Sequence, residues 1–208
     1  MRNLATLVIL FSSCCGWAQA KAENNQLGLL LGAEFIADSS TIATPPVPVS
    51  IGNSEVFQLN FAHRLAGTNT QLWLEIPAAA GPSHSVHSDD PNTPSSVATF
   101  YATPSFRMNF AAQRTFCPWL SFGGGYALFE GSQSLRNGLS NPERFTNTGA
   151  LQFGGGVDIR TRLKVLTPIG LRAEVRDFYS LDTPRFTTAV RDDRQHNVIV
   201  SAGFLLRF

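Results

Sequence analysis

The sequence predicts an all-β protein, an eight-stranded antiparallel up-and-down transmembrane β-barrel. Three observations point there. First, the final stretch sets Val198, Val200, Ala202, Phe204, Leu206 and Phe208 in an unbroken apolar row at spacing two. Their neighbours Asn197, Ser201, Gly203 and Arg207 are polar or small. Period two marks a strand with two unlike faces, and in a membrane barrel the last strand closes on the first with its apolar row toward lipid. Second, the connections between alternating stretches are in turn long (37–53, 77–98, 131–148, 180–195) and short (65–69, 111–116, 162–168). Long loops at one end and tight turns at the other suit a membrane barrel with an even number of strands. Third, no apolar run is long enough to cross a membrane as a helix.

The front of the chain agrees. Met1-Arg2-Asn3 is basic, Leu4 to Phe11 apolar, and Ala18-Gln19-Ala20 a small-x-small cleavage site, so 1–20 reads as a secretory signal and 21–208 as the barrel. A competing lipoprotein-type box ends at Cys14, but the alanine site is the cleaner of the two. Removing 1–20 takes away Arg2 and no acid, which turns 16 basic against 15 acidic residues into an even balance. No basic face for nucleic acid is expected. Cys14 and Cys15 fall within the signal, so Cys117 remains without a partner for an internal disulfide.

In chain order, Gln26–Ile36 is the first strand, with Gly28, Gly32 and Glu34 inward and an odd Leu30. Ser54–Arg64 puts Phe57, Leu59, Phe61 and His63 outward against Gln58, Asn60 and Arg64. Thr70–Ile76 sets Leu72, Leu74 and Ile76 against Gln71, Trp73 and Glu75. Thr99–Phe110 is interrupted by Pro104, which cannot donate to a ladder, so a bulge or break is expected there. Cys117–Glu130 and Gly149–Thr161 each hold a Phe-Gly-Gly-Gly segment, the glycines allowing close approach and leaving lumen space. Ile169–Tyr179 places Arg172, Glu174, Arg176 and Phe178 on one face, and His196–Phe208 closes the barrel.

Ser201, Gly203, Leu206 and Phe208 resemble the C-terminal assembly signal of bacterial outer-membrane barrels. That resemblance implies the barrel-assembly machinery as a partner during insertion. Leu120–Tyr126, Leu151–Asp158, Leu171–Phe178 and Gly203–Phe208 together resemble the small outer-membrane barrel family. This family includes the membrane domain of outer membrane protein A and the opacity-type surface proteins. The likeness covers 117–208 and implies outer-membrane lipid as the surroundings, a monomer, both termini in the periplasm, and long loops outside the cell.

The inward faces collect Glu34, Arg64, Glu75, Arg107, Asp158, Arg160, Arg172, Glu174, Arg176 and Arg207. An eight-stranded interior is just wide enough for side chains to fill, so this set is expected to form a salt-bridged plug; a narrow ion path is the alternative. By strand direction, Arg64, Arg107, Arg160, Arg172 and Arg207 fall near the periplasmic mouth, and Glu34 and Glu75 near the extracellular one. The five arginines are expected to pair with Asp158 and Glu174, or else to hold an anion.

Three other constellations need weighing. His84, His87, Asp89 and Asp90 are metal-ligand types but sit in a predicted loop, where solvation is the simpler reading. His63 reads as an interfacial residue. His196, Asp177 and Ser180 at the outer rim would resemble the layout of lipid A deacylase, although the local motif around its histidine is not visible. No cofactor is called for. The function expected is an integral outer-membrane barrel with a structural or surface-interaction role and no catalysis; a lipid A-modifying enzyme and a small-solute channel are the rivals. The extracellular ligand is not named by the sequence.

Deleting Phe208, or replacing Leu206 and Phe208 by Ser, is expected to impair insertion and leave the chain to periplasmic proteolysis. Normal outer-membrane yield on fractionation would remove the assembly-signal reading.

Overall fold

The computed structural model describes residues 24–40, 47–160, 168–183 and 194–208. The expected signal, with Cys14 and Cys15, lies outside the described residues. So do 161–167, which make up most of the expected turn 162–168, and the middles of the first and last long connections. The strands are β1 (Asn25–Ile36), β2 (Ser39–Ser40), β3 (Pro48–Ile51), β4 (Ser54–Ala66), β5 (Gln71–His87), β6 (Ser96–Ala102), β7 (Ser105–Asn109), β8 (Phe116–Gly131), β9 (Phe145–Arg160), β10 (Ile169–Ser180) and β11 (Gln195–Arg207).

All pairings are antiparallel, and the sheet closes. β1 pairs with β4 on one side and β11 on the other, from Gln26 opposite Arg207 to Ile36 opposite Asn197. The ladder then runs β4–β5, β5 to β6 and β7, these to β8, and on through β9 and β10 to β11. With β6 and β7 as two halves of one strand, the result is a closed eight-stranded barrel, and no helix occurs among the described residues. The end where β1 starts and β11 finishes is called the terminal end below; the opposite one is the loop end.

Alternation decides the faces. Leu31 and Phe204 are each 63% exposed, whereas Glu75, Arg107 and Arg176 are 0% exposed. A soluble protein would invert that distribution; a wall between lipid and a polar lumen requires it. Within the expected assembly signal, Leu206 and Phe208 face out, and Ser201 faces in, where its hydroxyl donates to Gln58 Oε1 at 3.1 Å.

The expected break at Pro104 is present, between β6 and β7, and it explains three neighbours. Thr103 N donates to Pro77 O at 3.2 Å, and Gly124 N donates to Pro104 O at 3.2 Å. A strand residue directs its nitrogen and its carbonyl to the same neighbour. Pro77 therefore turns its missing N–H toward a ladder that is already interrupted. A Cβ on Gly123 would stand 2.3 Å from Pro104 O, and one on Gly125 would stand 2.2 Å from Ala102 O. These glycines let β8 close on the broken strand.

Two expectations need correction. The third strand does not stop at Ile76, because β5 runs on to His87. Pro77 is accommodated by the break, and Ala78, Ala79 and Ala80 keep ladder partners on both β4 and β6. The predicted loop 77–98 shrinks to 88–95; likewise 131–148 gives up its last four residues to β9. Within 37–53, β2 and β3 form a small ladder that extends β5 beyond the barrel.

The glycine geometry yields a sharp contrast. Gly125→Ala is expected to lower the folded fraction, at about 1–3 kcal/mol for forced overpacking. Gly124→Ala should be tolerated, since its Cβ would meet nothing closer than 3.3 Å. The shift in migration between heated and unheated samples on gels reads both. Equal behaviour of the two variants would refute the packing account of the break.

Candidate functional site: the barrel lumen

The lumen is filled by two clusters of different character. The first is ionic and centres on Glu75. Its Oε1 accepts from Arg107 Nη1 at 3.0 Å and from Arg172 Nη1 at 2.8 Å, and its Oε2 from Arg176 Nη2 at 2.9 Å. Arg172 makes a fork onto Asp158, Nε to Oδ1 at 2.7 Å and Nη2 to Oδ2 at 2.9 Å. Arg176 makes another onto Glu174, at 2.6 and 3.1 Å. Such bidentate charge-assisted pairs are the strongest hydrogen bonds available to side chains.

Neutral groups complete the shell. Gln58 Nε2 donates to Glu174 at 2.6 Å, Trp119 Nε1 to Asp158 at 3.1 Å, and Arg107 Nη2 to Gln26 Oε1 at 2.5 Å. The guanidinium carbons of Arg107, Arg172 and Arg176 lie 5.6, 5.0 and 5.1 Å from the Trp119 ring, within cation–π range. The ring and Arg176 fit because of the second glycine segment. A Cβ on Gly156 would come within 2.7 Å of Trp119 Cζ2, and one on Gly154 within 3.1 Å of Arg176 Cγ.

The second cluster is apolar and fills the loop end. Ile36, Val49, Val56, Val97, Phe129 and Ile199 are among its members, with Tyr101 stacked on Phe178 at 4.6 Å between ring centres. One carboxylate lies among them. Glu34 accepts from Tyr101 Oη at 2.7 Å and Thr99 Oγ1 at 2.6 Å, and meets His84 Nε2 at 3.0 Å. His84 Nδ1 in turn lies 3.0 Å from Gly52 O, which ties the first long connection to β5.

These positions revise the sequence reading in several places. Glu34 lies toward the loop end, but Glu75 does not, because β5 continues for twelve residues beyond it. Of the five arginines expected at one mouth, Arg107 and Arg172 reach inward to Glu75. Arg64, Arg160 and Arg207 line a single cavity of about 400 Å³ at the terminal end. The hub of the pairing is Glu75, with Asp158 and Glu174 each serving one arginine fork. His84, expected in a solvated loop, is fully buried in the lumen. His87 faces the other way and is exposed, so the two histidines of the suggested metal set diverge; no metal-holding group occurs among the described residues. A buried His84 could have been suspected from its parity with Trp73 and Glu75 only after allowing for the register shift between Gly81 and His84.

The rim set also separates. His196 Nδ1 and Asp177 Oδ2 are 2.7 Å apart on the outer face, with the Tyr179 ring 4.8 Å from the imidazole. Ser180 is three residues from Asp177 and so has the opposite parity. It is buried, donates to Gln195 O at 3.3 Å, and lies on the lumen side of the wall. His63, at the terminal end, is exposed, with Nδ1 2.8 Å from Asn25 Oδ1.

No family model and no curated protein matches the chain. Solved structures do match. The outer membrane protein OprG from Pseudomonas aeruginosa is similar with a TM-score of 0.58 at 11% identity, over 89% of this chain and 96% of that one. Neisserial surface protein A matches with a TM-score of 0.54 at 14% identity, over 91% and 100%. The N-terminal β-barrel domain of Pseudomonas aeruginosa OprF matches with a TM-score of 0.50 at 10% identity, over 89% and 98%. The chain has the fold of the small eight-stranded bacterial outer-membrane β-barrels.

Proposed function

We propose that the chain is an integral outer-membrane barrel, termini inside and loops outside, that acts as a structural and surface-interaction protein without catalysis or conduction. The observation that carries this reading is the sealed lumen. Trp73, Trp119, Arg107 and Arg176 are fully buried across its middle, and an apolar cluster closes it above. A conducting pore needs a continuous polar path with weak sites; tightly forked ion pairs beneath an apolar layer oppose one.

The loop end supports a surface role. The turns 88–95 and 132–144 are bonded to one another: Arg136 N to Thr93 O at 3.0 Å, Asn137 N to Pro91 O at 2.9 Å, and Asn137 Nδ2 to Asn92 Oδ1 at 2.9 Å. The Arg136 side chain also donates to Val86 O. Loops tied in this way present a preorganised surface, which lowers the ordering cost of binding. The enzyme reading loses support because Ser180 lies across the wall from His196 and Asp177.

Purified protein in planar bilayers is expected to be silent, and discrete conductance steps would overturn the sealed-lumen reading. With Cys117 replaced by Ser, single cysteines at Asn92 or Asn137 should react with an impermeant maleimide on intact cells. Cysteines at Ala66 or Gln113 should stay unlabelled, and the opposite pattern would reverse the orientation. Glu75→Ala leaves three buried guanidinium groups short of a carboxylate. It should cost about 3–5 kcal/mol of stability, read as a lower urea midpoint, and an unchanged midpoint would deny the cluster its structural role.

A further inference from the structure

We propose that His84 is a doubly protonated imidazolium in the folded protein, and that its second proton latches the first long connection onto the barrel. Both ring nitrogens face oxygens of accepting groups. Nε2 lies 3.0 Å from Glu34 Oε2, and Nδ1 lies 3.0 Å from the Gly52 carbonyl oxygen. A neutral imidazole has one N–H, so it would turn a lone pair toward one of the two oxygens. The ring is fully buried, and bulk water does not relieve such a mismatch.

The contacts of Glu34 place the proton on the ring. Tyr101 Oη and Thr99 Oγ1 donate to its two oxygens at 2.7 and 2.6 Å, and donors to a carboxylate favour its charged form. A carboxylate inside an apolar cluster in turn requires a counter-charge. His84 supplies it. Arg176 on β10 is engaged by Glu75 and Glu174, and Glu55 on β4 and His87 on β5 face outward. Tyr101 on β6 is the remaining titratable group at this junction among the described residues. The wall is also shaped for the pair. A Cβ on Gly81 would stand 2.7 Å from Glu34 Oε2 and 2.8 Å from His84 Nε2, so a side chain there would part them.

The consequence reaches β3. Its ladder with β5 is two pairs long, Ser50 with His87 and Ile51 with Val86. Gly52 closes that ladder at both of its polar atoms. Its N donates to Ser85 O at 2.8 Å, and its carbonyl accepts from His84. When rising pH removes one proton from His84, the other stays in the stronger, charge-assisted bond to Glu34. Nδ1 then sets a lone pair against the Gly52 oxygen, and the end of β3 is pushed from β5. The connection is therefore held at neutral pH and released on the alkaline side. This latch stands apart from the orientation and surface role proposed above.

Two measurements on the signal-free chain folded in a neutral detergent test it. Replacing the exposed His63, His87 and His196 by Gln leaves His84 as the single histidine. Side-chain nitrogen NMR of that variant at neutral pH should show a proton on both ring nitrogens; one bare nitrogen overturns the proposal without any change at the latch itself. The second measurement reads the release. With Cys117→Ser, a nitroxide at Ser50→Cys, an exposed position of β3, should be restrained at neutral pH and become mobile as pH rises. A nitroxide at Asn92→Cys in the second long connection should not change over the same range. In His84→Gln the Ser50 label should be mobile throughout, and in Glu34→Gln its midpoint should fall by at least about one pH unit. Tyr101→Phe should keep the transition, which separates the imidazole from the phenol. A Ser50 label still restrained after His84 has lost its proton, or a transition that survives in His84→Gln, overturns the latch.

Discussion

The carboxylate of Glu75 receives three guanidinium groups from two other strands, and the rest of the lumen is arranged around that junction. Around the ring, β5 and β10 are diametrically opposite, separated by three strands on either side. The bonds from Arg172 and Arg176 therefore cross the whole interior and do not merely link neighbours. Gln58 to Glu174 is a second crossing, and Tyr101 and Thr99 to Glu34 a third. A closed sheet is already held by its ladders; these crossings fix its cross-section. They also remove water from the middle, where an arginine remains charged and so must keep a counter-charge.

The change of character along the axis follows from what each level must satisfy. In the middle, arginine side chains fill the narrow interior, and Trp119 packs against three of them at once. Toward the loops the strands continue beyond the wall. β3 adds to β5, and the β8–β9 hairpin lengthens, so the interior there resembles an ordinary protein core, with Tyr101, Phe129 and Phe178 in aromatic contact. The single acid in that core, Glu34, is fully served by two hydroxyls and an imidazole, as buried charge demands. One consequence is a loop end braced from within. His84 joins Glu34 to the Gly52 carbonyl, so the first connection is anchored to the same group that closes the lumen.

Much of the fold was legible in the residues. Strand faces, eight-strand closure and the interruption at Pro104 all follow from local rules. Spacing two divides lipid from lumen, and proline lacks the donor a ladder needs. The membership of the lumen set was legible for the same reason: parity alone sends Glu75, Arg107, Asp158, Arg172, Glu174 and Arg176 inward.

Tertiary structure alone decided heights and partners. Glu75 was misplaced along the axis because the composition of 77–87, rich in Pro, Ala and Ser, reads as a loop. Only pairing with both neighbours, and the coincidence of Pro77 with the Pro104 break, extends β5 through it. The register shift between Gly81 and His84 then turns His84 inward, which no local periodicity announces. The division of the arginines, Arg107 and Arg172 to the centre and Arg64, Arg160 and Arg207 to the mouth, has the same origin. Sequence parity determines which side of the wall a side chain occupies. How far it reaches, and across to which strand, is set by shear and closure of the barrel, quantities that involve residues more than a hundred positions apart, such as Gln58 and Glu174.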